Sequence, residues 1–192
     1  MIAVKEALSI GNKELTKKGI INSLLETKLL IKDILNVSEE KLISSTEVFL
    51  SDAQFEIYQS FLERRKQFEP IAYILNKREF WKDSFYVNNS TLIPRQDSEI
   101  IIETVLKLLP KKDKKLKFAD LGTGSGCLII SLLKEYKHSK GVGIDVSKEA
   151  IKVAERNKNI PKNMTHKKGN IKFEKAWFFR EGNLMVVGNH LT

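Results

Sequence analysis

The sequence predicts an α/β fold preceded by a small all-α unit and a β-hairpin, and three observations carry that prediction. Residues Phe118–Gly126 read F-A-D-L-G-T-G-S-G: a short apolar run ends in Asp120 and meets glycines at alternate positions, Gly122, Gly124 and Gly126. An apolar helical pattern, Cys127–Leu133, follows at once, so the order is strand, tight turn, helix. A second strand, Gly141–Asp145, ends in an acid about 20 residues beyond the first glycine. Upstream, the apolar period stays near 3.6 through residue 76 and changes to two at Glu79.

Glycine suits such a loop because a Cβ would block both a left-handed turn and the close approach of a ligand to the backbone. The amides at the start of the following helix then face that ligand. The spacing is G-x-G-x-G rather than the dinucleotide G-x-G-x-x-G. It fits a nucleoside with a short charged tail better than a pyrophosphate. Gly122, Thr123, Gly124, Ser125 and Gly126 are therefore the candidate cofactor loop, and Asp145 the candidate ribose ligand. A lone glycine loop could equally be a plain tight turn. Strand, glycine loop, helix, strand and acid together indicate a Rossmann-like unit, with S-adenosylmethionine (SAM) as the expected ligand.

The chain has 192 residues, 42% hydrophobic and 30% charged, an ordinary globular composition with room for one medium domain, or for a small domain and part of a larger one. It holds no apolar run of about 18 residues, so no membrane span is expected. A charge at Lys5 interrupts the first apolar stretch, which argues against a signal peptide. The single cysteine, Cys127, cannot form an internal disulfide; it reads as a small buried helix residue, and the cytoplasm as the compartment. The net charge is +9, with the first 80 residues close to neutral and the excess in the remainder. A basic half fits nucleic acid, but a lysine-rich solvated surface is the favoured reading. The run Lys111–Lys117 is a polar loop before the glycine strand. His138, His166 and His190 show no metal-ligand spacing.

Taken in order, residues 2–18 show helical spacing, interrupted at Gly11–Asn12 and ended by Gly19. Residues 22–35 place Leu24, Leu25, Leu29, Leu30, Ile34 and Leu35 on one stripe. Ser38 is a natural cap for a short helix over 39–43. Ser51, with Gln54 three residues on, has capping-box spacing, and Phe55, Tyr58, Phe61 and Leu62 form the stripe of the helix that follows. Pro70 opens another short helical segment, Ile71–Leu75. Residues 1–76 form the all-α unit, whose stripes are its own core or, alternatively, a docking surface. Phe80–Trp81 and Phe85–Val87 read as a hairpin split at Asp83–Ser84, so residues 77–94 form the hairpin linker and 95–192 the α/β unit. The acids around Arg95, ahead of the helix Ile100–Leu109, compensate its dipole; alternatively the Pro94–Arg95 turn lines a pocket. Ser147 caps a helix Lys148–Asn157 whose inward residues are Ala150, Ile151, Val153 and Ala154. Residues 158–169 read as a loop, and Ile171–Phe173 and Leu184–Val187 as strands.

Four consecutive stretches, LERRKQFEPIAYILNKREFW, FYVNNSTLIPRQDSE, ADLGTGSGCLIISL and GIDVSKEAIKVAERN, follow one another in an order that resembles the protein-glutamine N5-methyltransferases of bacterial peptide-chain release factors (the HemK/PrmC family). The resemblance covers about residues 1–157. It implies a helical domain that recognises the release factor, a hairpin linker and a class I SAM methyltransferase domain. It assigns Gly122–Gly126 to the methionine end of SAM and Asp145 to the ribose. It also implies a turn at the adenine, aligned with Lys175–Phe178, where Trp177 keeps the contact and Ala176 replaces an acid. Last comes an Asn-Pro-Pro-Tyr motif that positions the substrate amide. The stretch Val186–Thr192 aligns there, with Asn189 as the catalytic asparagine followed by His190, Leu191 and Thr192.

No Asn-Pro-Pro-Tyr occurs in the chain, and the residues from the glycine strand onward leave room for about three or four strands. A shortened, monomeric member with an incomplete sheet is therefore expected, with full activity absent. Two alternatives stand beside this reading: an amino-group methyltransferase acting on nucleic acid, and a non-catalytic release-factor-binding remnant.

Overall fold

The computed structural model describes residues 1–38, 40, 48–159, 171–175 and 185–188. The chain divides into two units, Met1–Leu75 and Asn76–Thr192.

The first unit is built on α1 (Val4–Lys17), α2 (Ser23–Leu35) and α3 (Asp52–Lys66), with a single turn, α4 (Ile71–Ile74), after Pro70. Two short strands, β1 (Ile2–Ala3) and β2 (Phe49–Leu50), pair antiparallel. The helix α1 ends as the sequence indicates. Gly19 sits at φ 79°, and the amides of Gly19 and Ile20 donate to the carbonyls of Thr16 and Leu15, a Schellman closure. The α3 capping box forms in full, with Ser51 Oγ accepting from the Gln54 amide and Gln54 Oε1 accepting from the Ser51 amide.

Two expectations for this unit fail. The helix α1 does not break at Gly11 but runs through it. Glycine is there for space: a Cβ would lie 1.9 Å from the Tyr58 hydroxyl and 2.7 Å from Thr27 Cγ2. Tyr58 is fully buried and donates to the Ala7 carbonyl at 2.9 Å. The leucine stripe of α2 is also rotated. Its buried face is Ser23, Thr27, Leu30 and Ile31, while Leu24 and Leu25 are about half exposed, because Thr27 hides its hydroxyl by donating to the Ser23 carbonyl. The expected helix over 39–43 lies mainly outside the described residues.

The second unit starts with the hairpin β3 (Arg78–Phe80) and β4 (Asp83–Phe85). Its turn falls at Trp81–Lys82, not at Asp83–Ser84 as the sequence suggests. Trp81 takes φ 56° and is held there by its contacts: its amide donates to Glu99 and its indole to Glu135. A short 3₁₀ turn (Gln96–Ser98) then leads into α5 (Glu99–Leu108). The strands β5 (Lys117–Leu121), β6 (Lys140–Asp145), β7 (Ile171–Lys175) and β8 (Met185–Gly188) form one parallel sheet in the order β7-β6-β5-β8. Between them run α6 (Cys127–Glu135) and α7 (Lys148–Lys158). Ahead of Lys134 the helix α6 is apolar but for Ser131, which is the pattern of a buried helix, and Leu128, Ile129, Ile130, Leu132 and Leu133 are all buried. Among the described residues, no helix is long and apolar enough to cross a membrane.

Strand order positions the site. The chain passes from β5 outward through β6 to β7, then returns to the other side of β5 as β8. The order therefore reverses between β5 and β8. In open parallel sheets, the carboxyl ends of the strands beside such a reversal form the ligand crevice.

Candidate functional site

The loop that leaves β5 sits at that crevice. Gly122, Gly124 and Gly126 have φ of 71°, 52° and 76°, all in the left-handed region where a side chain is strained. The sheet edge fixes the start of the loop, because the amides of Gly122 and Thr123 both donate to the Ile144 carbonyl, at 2.8 and 2.9 Å. The Gly126 amide closes the turn on the Thr123 carbonyl at 2.8 Å. A Cβ on Gly122 would meet nothing within 4 Å, and one on Gly124 only the Gly122 carbonyl at 4.0 Å. The outer face of the loop is open, and its backbone can touch a ligand.

The inner face is closed. A Cβ on Gly143 of β6 would lie 2.5 Å from the Phe173 ring and 2.8 Å from Thr123 Oγ1, and one on Gly126 would lie 3.0 Å from Phe173. The loop thus rests on the β7 phenylalanine.

Two acids flank the loop. Asp145, half-buried at the end of β6, accepts from the Gly124 amide through Oδ2 and from the Ser147 amide through Oδ1, both at 2.9 Å. Ser147 in turn caps α7 by accepting from the Ala150 amide. Asp120 is buried at the end of β5 and accepts from Thr123 Oγ1 at 2.7 Å. Burial pushes its carboxyl up to about 6; the Thr123 hydroxyl and the Ile129 amide pull the other way, and the Asp145 charge adds to the rise. The helix α6 begins at Gly126 without a side-chain cap, which leaves its first amides to the Asp120 carboxyl and to a ligand. An open glycine face, uncapped helix amides and an acid at the neighbouring strand end suit a nucleoside with a short charged tail.

The five loop residues and Asp145 are thereby brought together. Trp177 and Asn189 lie outside the described residues. The Cys127 thiol follows the loop, and burial pushes it up to about 12, so it stays protonated and is no nucleophile.

The N-terminal residues 6–75 match the PrmC N-terminal domain, and residues 112–183 match a methyltransferase domain. The chain belongs to the PrmC/HemK family. Among curated relatives, a release factor glutamine methyltransferase of Coxiella burnetii is 38% identical over 157 residues, covering 82% of this chain and 56% of that protein. One from Buchnera aphidicola is 38% identical over 136 residues, covering 71% of this chain and 49% of that protein. A bifunctional methyltransferase of Rickettsia typhi is 38% identical over 180 residues, covering 85% of this chain and 35% of that protein. The chain thus spans between about a third and just over half of the length of these relatives.

One residue of this site escaped the sequence reading. Asn157, on the last turn of α7, is buried, and its side chain bonds the backbone of Ser125 in the family's glycine loop. An asparagine near a helix end reads as a polar terminus. The signal that could have found it is its place four residues after Val153, on the inward face of α7.

Proposed function

We propose that this chain carries the SAM-binding and release-factor-recognition parts of a release factor glutamine methyltransferase and works in the cytoplasm. The observation that carries the reading is the latch between Asp145 and the Gly124 amide, at the carboxyl ends of adjacent strands beside the reversal of strand order. SAM, when bound, supplies a methyl group on a positively charged sulfur. Gly122–Gly126 would hold its charged tail through backbone amides, Asp145 would accept from its ribose hydroxyls, and Trp177 would keep the adenine contact. The first unit docks the release factor.

An amide nitrogen is a poor nucleophile, so the protein must orient it rather than activate it. Asn189 would accept an N–H of the substrate glutamine and keep its nitrogen facing the methyl, a positioning effect of several kcal/mol. The register supports this assignment: Gly188 of β8 pairs with Leu121 of β5, and Asn189 is the next residue in the chain. His190, Leu191 and Thr192 stand where the family has Pro-Pro-Tyr, so transfer is expected to fall well below that of the longer relatives.

The test is incubation of the chain with methyl-labelled SAM and a bacterial release factor. Label on a glutamine side chain supports the full reading. SAM binding with release-factor binding but no label confines the deficit to the residues after Gly188. Label on RNA instead would overturn the protein-substrate assignment.

A further inference from the structure

Asn157 uses its side-chain amide in a way that helix α7 alone does not require. Its Oδ1 accepts from the Tyr86 amide at 2.7 Å; its Nδ2 donates to the Tyr86 carbonyl at 2.9 Å and to the Ser125 carbonyl at 2.8 Å. The first two bonds pair with residue 86 as a neighbouring strand would, and the third holds the cofactor loop. A planar group with an acceptor on one arm and two donors on the other is needed: aspartate lacks the donors and leucine lacks both. The residue is 1% exposed, so any group left unpaired there stays unpaired.

The segment it grips is pinned from other sides as well. The Arg156 guanidinium lies 3.5 Å from the centre of the Tyr86 ring. Asn76 donates through Nδ2 to the Val87 carbonyl at 3.0 Å, and Val87 is fully buried. Residues 86–87, just past the hairpin, are therefore fixed by two asparagines, and only one of these also touches the glycine loop.

We propose that Asn157 is a positioning residue for cofactor binding, holding the Ser125 carbonyl with the same side chain that pairs with Tyr86. This inference rests on the SAM-binding reading. It adds that cofactor affinity depends on the segment after the hairpin, so a change at Tyr86 is felt in the glycine loop.

Calorimetric titration of SAM and hydrogen exchange of the loop amides, on the full chain, test this with Asn157→Asp and Asn76→Asp. Both variants lose side-chain donors to the same segment, but only the first loses a bond to the loop. Asn157→Asp is expected to weaken SAM about 10- to 100-fold and to speed exchange at Gly124 and Gly126. Asn76→Asp should leave the affinity within about threefold of wild type. A buried aspartic acid protonates readily and regains one O–H donor. The Asn157→Asp deficit should therefore shrink from about pH 8 towards pH 5, a recovery that general destabilisation does not give. Arg156→Ala removes the ring contact to Tyr86 but none of the three Asn157 hydrogen bonds, and so tests the link even if Asn157→Asp fails to fold. It is expected to weaken SAM about threefold.

Wild-type affinity and unchanged loop exchange in Asn157→Asp would overturn the proposal, as would equal losses in Asn157→Asp and Asn76→Asp. If the wild-type chain takes up no SAM, the binding reading fails separately and exchange alone decides. Faster exchange confined to the loop in Asn157→Asp, or in Arg156→Ala where that variant stands in, then supports the positioning role, and unchanged exchange overturns it.

Discussion

Gly124 and Asp145 are joined by a 2.9 Å hydrogen bond from the glycine amide to the carboxylate, across the tips of two parallel strands. The bond ties the middle of a loop of left-handed glycines to the acid expected to hold a ribose. A ligand there meets a loop whose geometry is already set, which lowers the ordering cost of binding.

Gly11→Ala inverts a familiar rule. In an exposed helix interior this change stabilises by about 1 kcal/mol. In α1 the new Cβ would sit 1.9 Å from the Tyr58 hydroxyl, and the first unit should instead lose about 1–3 kcal/mol. Adding Tyr58→Phe removes the colliding oxygen, so urea unfolding of the double variant should show recovery of part of the loss. Simple additivity of the two changes would contradict the packing account.

Gly143→Ala should act in the same way in the sheet. Its φ is not in the left-handed region, so the cost is packing alone, from contact with Phe173 and Thr123. A loss of about 1–3 kcal/mol is expected, read as a fall in Tm of roughly 2–4 °C per kcal/mol. Phe173→Leu should relieve part of it.

Two carboxyls give the second unit opposite pH dependences. Burial raises the Asp120 carboxyl from 3.8 to about 6. A raised acid pKa favours the folded state below the unfolded value, so this stability is lost as pH rises from about 4 to 6. Asp120→Asn should remove that decline, worth about 2–3 kcal/mol.

For Glu135, burial acts upward, but the donors Lys112, Lys82 and Trp81 outweigh it and hold the carboxyl at about 2 against a usual 4.5. Its contribution is present above pH 4.5 and is lost as pH falls towards 2. Both lysines are more than half exposed, so screening trims the contribution to about 1–2 kcal/mol. Glu135→Gln should flatten acid unfolding in that window, followed by the near-ultraviolet signal of Trp81. Unchanged acid unfolding would contradict the assignment.

Local signals in the chain were reliable. The Ser51–Gln54 box, the Ser147 cap, the Gly19 closure and the glycine loop each depend on residues within a few positions of one another, and all four form as read. The misreadings share a different cause. Gly11 is explained by Tyr58, the Trp81 turn by Glu99 and Glu135, and Asn157 by Tyr86 and Ser125. Each partner lies far along the chain, where spacing carries no information. The rotated face of α2 has a local cause that periodicity still misses, because Thr27 buries its hydroxyl on the Ser23 carbonyl and so counts as apolar. Trp177 rests on the family resemblance alone, and Asn189 on that resemblance together with the register of β8 up to Gly188.

The most direct measurement is calorimetric titration of SAM into the full chain, beside Asp145→Ala. The variant loses bonds from two backbone amides as well as the proposed ribose contact. The account predicts saturable 1:1 binding by the wild-type chain and a loss of about 10- to 100-fold or more in the variant, with both folded. Equal affinity in the two, or no binding by a folded wild-type chain, would contradict it.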